Sequence, residues 1–289
     1  MDAPPGKEDL GPYIRVAAML VQVGVNAPRV LQRDETQGFL LNSDLGSRTY
    51  LADLEAGGDA DRLYHDAIEA LVAIQSRAHQ HAAQLPAYDD ALLRREMALF
   101  PEWFCDKHLG LQLNARETAS LGQLFDTLVA EALRQPRVFV HRDYHSRNLM
   151  VCDGGREGPN PGILDFQDAV LGPVTYDLVS LLRDAYVAWP LERVHAWLRR
   201  YRDSAQRSGL DVGASEAEFQ RWFDLMGIQR QLKVLGIFAR LWHRDGKPGY
   251  LKDLPRTLSY VRQVSKNYRD LEFLTAFIEQ RVVPALDKT

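Results

Sequence analysis

Apolar positions recur at helical spacing along most of this chain, and short apolar runs bounded by turn residues interrupt that pattern near residues 30–41 and 138–164. Ile14, Ala17, Ala18, Leu20 and Val21 form one stripe and predict a helix over 13–23. Val30-Leu31 and Phe39-Leu40-Leu41 flank the polar run 33–38, which predicts a β-hairpin. Ser43-Asp44-Leu45-Gly46 then breaks the strand. Beyond it the pattern turns helical. Tyr64, Ala67, Ile68 and Leu71 predict a helix over 61–81. Asn114 with Glu117 reads as a capping box opening a helix over 114–135, with Leu121, Leu124, Phe125 and Leu128 facing inward.

Val138-Phe139-Val140 predicts a short buried strand, and Leu149–Cys152 and Gly162–Leu164 predict two more around the Gly- and Pro-rich loop 153–161. Helices are expected again over 176–188 and 191–208, from Ser215 with Glu218 through Phe238, and over 260–286. Tyr186, Trp189 and Trp242 are expected in the core. The order is a little β structure, a linker, then a helical body holding one small β insertion. That order predicts an α+β fold of two lobes, a partial β-rich small lobe over 1–45 and a helical lobe over 46–289.

Bulk properties narrow the function classes. The 289 residues can bury a sizeable core. The net charge of −4 gives no footprint for nucleic acid, and no apolar run is long enough to span a membrane. The first residues lack the basic-then-apolar order of a signal peptide, so the cytoplasm is the expected location. Cys105 and Cys152 have neither zinc nor redox spacing and are expected to be buried thiols.

The chemistry concentrates in the β insertion. His141-Arg142-Asp143 is followed at a spacing of five by Asn148, and Ile163-Leu164 ends on Asp165. One carboxylate that can take a proton from a hydroxyl, plus two oxygen ligands for a hard cation, is the set that phosphoryl transfer from ATP requires. Asp143 is the expected catalytic carboxylate, and Asn148 and Asp165 the expected Mg²⁺ ligands. His141 reads as a structural support of the loop, and Asp177 as a brace for its helix. Placing Asp165 at the end of an apolar run argues against a simple surface acid.

These residues resemble the aminoglycoside phosphotransferase/choline kinase-like branch of the protein-kinase fold. The resemblance extends through Gly38–Leu41 with Ser43–Gly46, Phe100–Phe104, Leu164–Ala169, Gly172-Pro173 and Tyr176–Asp184, and leans toward the bacterial cell-wall amino-sugar kinases. It implies Mg-ATP as cofactor and a small-molecule acceptor, with the anomeric hydroxyl of N-acetylmuramate or N-acetylglucosamine as the leading target, in a monomer. It implies a hinge at Ser43, Asp44 and Leu45 for adenine, and Arg147 near the phosphates. Acceptor contacts would come from Glu96, Glu102, Trp103, His145 and Arg183, the last as partner for a lactyl carboxylate. Aminoglycoside- or choline-type acceptors are the alternatives. The resemblance also aligns residues 1–5 with the end of a small-lobe strand, and Lys7 does not stand on a strand where a phosphate-binding lysine would. This implies a fragment or a late start that leaves out the loop over the phosphates, and on that ground a non-catalytic kinase-like binding module is a further alternative.

Overall fold

The computed structural model describes residues 1–2, 9–78, 84–154 and 158–288. Ala3-Pro4-Pro5 and Lys7, the last three residues of the helix expected over 61–81, and part of the loop 153–161 lie outside the described residues. The chain forms two compact units, residues 1–87 with 136–212, and residues 88–135 with 213–289. These units cut the chain otherwise than the expected lobes 1–45 and 46–289, a division that stays a proposal.

The first unit opens with α1 (Leu10–Gln22), whose N-terminus is capped by the Asp9 side chain. The expected hairpin follows as β1 (Val30–Asp34) and β2 (Phe39–Asn42), antiparallel, with an irregular register between Val30 and Gln32. Next come α2 (Tyr50–Glu55), capped by Thr49, and α3 (Ala60–Arg77), capped by Asp59. Ala67, Ile68 and Leu71 of α3 are fully buried, so the predicted stripe is its inner face. Then β3 (Arg137–Val140), β4 (Leu149–Met150), β5 (Gly162–Ile163) and β6 (Val170–Pro173) form two small antiparallel ladders, β3 with β6 and β4 with β5. Reading β6 as a strand was not possible from Gly172-Pro173, which signal a turn. Here Pro173 ends the strand opposite Arg137, where a missing N–H costs the ladder little.

Helix α6 (Tyr176–Leu182) stops well short of residue 188. The chain leaves it at Arg183, and the Asp184 carboxylate then accepts from the Tyr186 backbone N–H at 2.9 Å, closing a turn where the helix would have continued. Helix α7 (Leu191–Arg207) closes the unit, with Trp197 stacked on Tyr64 at 4.1 Å between ring centroids.

The second unit is helical: α4 (Asp90–Met97), a π-helical segment (Phe100–His108), α5 (Ala115–Leu133), α8 (Glu216–His243), α9 (Leu254–Ser265), α10 (Glu272–Phe277) and α11 (Val283–Leu286). The capping box at Asn114 and Glu117 is present with both bonds at 2.9 Å. A Cβ on Gly236 of α8 would lie 2.4 Å from the Leu99 backbone, so glycine sets how closely α8 meets the chain entering the π-helical segment. The helix expected over 260–286 is interrupted after Ser265. Tyr268 is extended and its hydroxyl donates to Asp224 at 2.6 Å, which turns the chain back toward α8. Trp242, expected in the core, is 38% exposed near the end of α8. No helix among the described residues is long and apolar enough to cross a membrane.

Candidate active site

At the end of β3 the chain turns sharply, and Arg142 takes a φ of 79°. Such a conformation costs a non-glycine residue about 1–2 kcal/mol. The buried Asp177 carboxylate offsets it by accepting from the His141 N–H at 2.6 Å and the Arg142 N–H at 3.0 Å. Asp177 therefore braces the loop itself, beyond the α6 role expected for it. Inside the turn, the Asp143 N–H donates to His141 Nδ1 at 3.2 Å. The Asp143 carbonyl accepts from the His145 N–H at 3.1 Å and from Asn148 Nδ2 at 3.0 Å. The backbone of Asp143 is thus held from both sides, on elements whose positions the strand and α6 fix.

Asn148 and Asp165 meet through the second ladder. Leu149 pairs with Ile163, and the Leu164 N–H donates to the Asn148 carbonyl at 2.9 Å, so the pairing runs out just where the two polar residues stand. Asn148 Nδ2 lies 3.3 Å from Asp165 Oδ2, and Gln167 Nε2 donates to Asp165 Oδ1 at 2.8 Å. Asp165 has a φ of 64° and is exposed, contrary to the expectation that the apolar run would tuck it in. The turn that follows buries Phe166 against Tyr13 instead, at 4.9 Å between ring centroids. The residue types suit a hard cation, one carboxylate and one side-chain amide, with the amide Nδ2 facing the carboxylate here. Among the described residues no group of three or more His, Cys, Asp or Glu could hold a metal.

Asp184 was not singled out as a site residue, yet its buried carboxylate accepts from the Ser146 N–H at 2.9 Å as well as from Tyr186. One carboxylate therefore ties the middle of the loop to the end of α6. Tyr186, expected in the core, is half-buried and carries Arg147 over its ring at 4.7 Å, with the His145 ring 5.4 Å away. His145 is buried and Arg147 exposed. At the expected hinge, the Ser43 hydroxyl accepts from the Arg29 N–H at 2.9 Å and the Asp44 carboxylate from the Gly46 N–H at 3.0 Å. Leu45 is buried in an apolar cluster with Met150, Cys152 and Leu164. Arg183 is buried at the end of α6.

Glu96, Glu102 and Trp103 belong to the second unit. Glu96 is buried against Lys233 at 3.0 Å and accepts from the Tyr88 hydroxyl and from Gln229. Glu102 is exposed and Trp103 half-buried on the π-helical segment.

His141 is 1% exposed, and burial pushes its pKa down to about 4 against the opposing pull of Asp143 and Asp165. The ring is neutral at working pH, which leaves Nδ1 able to accept from Asp143. An unfolded histidine binds its proton near pH 6.5. Stability tied to His141 is therefore fully present above that value and lost as pH falls from there toward 4, about 2 kcal/mol of it by pH 5. Urea midpoints of the protein should drop more between pH 7 and pH 5 than those of His141→Asn. An equal drop would show that His141 does not carry this penalty.

The two-strand insertion with its polar loop, set among helices, is the large-lobe arrangement of kinase-like phosphotransferases, and solved structures share it. The GDP complex of wild-type aminoglycoside 2'-phosphotransferase-IIIa matches with a TM-score of 0.57 at 19% identity, over 90% of this chain and 82% of that one. The gentamicin complex of APH(2")-IIa matches with a TM-score of 0.57 at 13% identity, over 86% of this chain and 79% of that one. At these identities the likeness is one of fold. The chain belongs to the phosphotransferase enzyme family (APH), whose profile matches residues 1–214. It is 52% identical over 261 residues to an N-acetylmuramate/N-acetylglucosamine kinase of Pseudomonas aeruginosa, covering 90% of this chain and 75% of that protein. It is 45% identical over 285 residues to the protein of the same name from Neisseria meningitidis serogroup B, covering 98% of this chain and 83% of that protein.

Proposed function

We propose that this protein is a Mg-ATP-dependent amino-sugar kinase that phosphorylates the anomeric hydroxyl of N-acetylmuramate and N-acetylglucosamine. One observation carries the phosphotransfer reading: Asn148 links the Asp143 carbonyl, at 3.0 Å, to the Asp165 carboxylate, at 3.3 Å, in one hydrogen-bonded unit. The acceptor reading is supported by relatives at 52% and 45% identity that carry these two sugars in their names as kinases.

In this reading Asp143 accepts a hydrogen bond from the acceptor hydroxyl and takes its proton as the new P–O bond forms and the bond to ADP breaks. General-base help of this kind is worth ~10²–10⁴-fold. An anomeric hydroxyl is more acidic than an ordinary sugar hydroxyl, so a carboxylate of ordinary strength suffices. Asn148 and Asp165 would hold Mg²⁺, which when bound would neutralise charge on the nucleotide phosphates. Gln167 fixes one Asp165 oxygen and so aims the other. Asp177 and Asp184 anchor the loop backbone. Arg147 is the candidate phosphate contact from the loop, with Tyr186 under its guanidinium. The apolar cluster around Leu45 is the candidate adenine surface, with the Ser43–Leu45 backbone beside it. Ser43 and Asp44 spend their side chains on the local turn, so their part is through backbone groups. His145, Arg183, Glu102 and Trp103 remain candidates for the acceptor. Glu96, already neutralised by Lys233, acts more naturally as a support than as a contact. The two free, buried cysteines are compatible with the reducing cytoplasm this reading implies.

An acceptor panel tests the reading. With Mg-ATP, the protein should phosphorylate N-acetylmuramate and N-acetylglucosamine and leave kanamycin and choline untouched. Turnover confined to the cationic acceptors would move it to another branch of the family.

A further inference from the structure

Two histidines of the second unit meet at its surface. His108 ends the π-helical segment and His243 ends α8. His108 Nδ1 lies 3.3 Å from His243 Nε2, and the ring centroids are 5.5 Å apart. His108 is half-buried, its ring stacked on that of Phe104 at 6.0 Å between centroids. His243 is exposed. One ring is therefore held in place, and the other can adjust and admits water.

The separation has a chemical meaning. A hydrogen bond joining the two rings at 3.3 Å is a long one. Two imidazole nitrogens bound to one Zn²⁺ at about 2.0–2.1 Å, at a tetrahedral angle, stand about 3.3–3.4 Å apart. The pair already has this spacing, and a small rotation of the His243 ring turns both lone pairs to one point.

The surroundings favour a cation. Both histidines stand in the last turns of their elements, where free carbonyls carry partial negative charge. The cations next to them in sequence are already matched: Lys107 pairs with Asp106 at 3.4 Å and Arg244 with Asp245 at 2.7 Å. Burial, and then His243 beside it, hold the His108 pKa below the ordinary histidine value, so its ring is neutral at working pH and has a lone pair to give. Imidazole nitrogen selects Zn²⁺, Cu²⁺ or Ni²⁺ over Mg²⁺ and Ca²⁺.

We propose that His108 and His243 form a two-histidine site for a divalent transition metal, Zn²⁺ in class, with water completing the tetrahedral shell. The ion would tie the end of the π-helical segment to the end of α8 and stabilise the second unit by mass action. The site shares no residue with the Asn148 and Asp165 pair and does not rest on the kinase reading.

Calorimetric titration of Zn²⁺ into the chelator-treated protein in excess Mg²⁺ supplies the test, on the wild type, His108→Gln and His243→Gln. Glutamine keeps a hydrogen-bonding side chain at each position and gives up the imidazole nitrogen. Each variant should lose the tightest Zn²⁺ of the wild type, binding it at least about 10-fold more weakly, because each removes one of two protein ligands. Zn²⁺ should raise the melting temperature of the wild type more than that of either variant, and a chelator should reverse the rise. Equal affinities in all three proteins overturn the proposal: the ion then sits elsewhere and the rings share a hydrogen bond only. A loss in one variant alone also overturns it, since the geometry requires both rings. Where His108→Gln does not fold, His243→Gln, at an exposed position, and the visible spectrum of bound Co²⁺ decide instead. A strong tetrahedral band that disappears on substituting His243 supports the site; a weak octahedral band in the wild type overturns it.

Discussion

Asp143→Asn is expected to lower kcat by ~10²–10⁴-fold while leaving the affinities for ATP and acceptor close to those of the wild type. Asparagine has nearly the shape of aspartate and keeps a hydrogen-bond acceptor, so the acceptor hydroxyl still finds a partner. It cannot take the proton. Three bonds that hold this position run through its backbone: the N–H to His141 Nδ1 at 3.2 Å, and the carbonyl from His145 and Asn148 at 3.1 and 3.0 Å. None of them depends on the carboxylate, so the loop should keep its form. A loss confined to kcat is the pattern of a group that acts in the transition state. If KM rose and kcat stayed, Asp143 would be a binding group and the proton would go elsewhere.

Asp165→Asn should weaken Mg²⁺-dependent ATP binding on the order of 10²-fold, since a carboxylate on a divalent cation is worth several kcal/mol. The choice of asparagine matters. Asp165 sits at a φ of 64°, a conformation that asparagine tolerates and that alanine adopts only under strain. Asp165→Ala would mix lost coordination with a disturbed turn. Asparagine also keeps an oxygen toward Gln167, whose bond to Asp165 is 2.8 Å. Calorimetric titration of ATP with Mg²⁺ and with a chelator, on both proteins, isolates the metal-dependent part. The wild type should gain affinity from Mg²⁺ and the variant should gain little. Equal gains would remove Asp165 from the metal site.

Local features of this chain were legible in its sequence. The hairpin at Val30–Asp34 and Phe39–Asn42, the capping box at Asn114 and the short strands flanking the 141–148 loop all follow from residues within one turn or one strand of each other. Asp143, Asn148 and Asp165 were legible because their spacing is fixed by that local geometry. Asp177 and Asp184 were not read as loop anchors because the backbone groups they hold lie 35 to 38 residues away, a distance no periodicity carries. The same applies to Tyr186, which looks like a core aromatic until its Arg147 and His145 neighbours are seen. Helix α6 was overextended because the apolar residues 181–182 and 185–187 continue its helical spacing; the stop comes with what the Asp184 side chain accepts.

The account rests on Asp143 directing phosphoryl transfer to an anomeric hydroxyl. Phosphorus NMR of the product formed from N-acetylmuramate and Mg-ATP tests this most directly. The account predicts a sugar 1-phosphate, with the phosphorus coupled to the anomeric proton, from the wild type and almost none from Asp143→Asn. A product phosphorylated at the primary hydroxyl, or an undiminished yield from the variant, would contradict it.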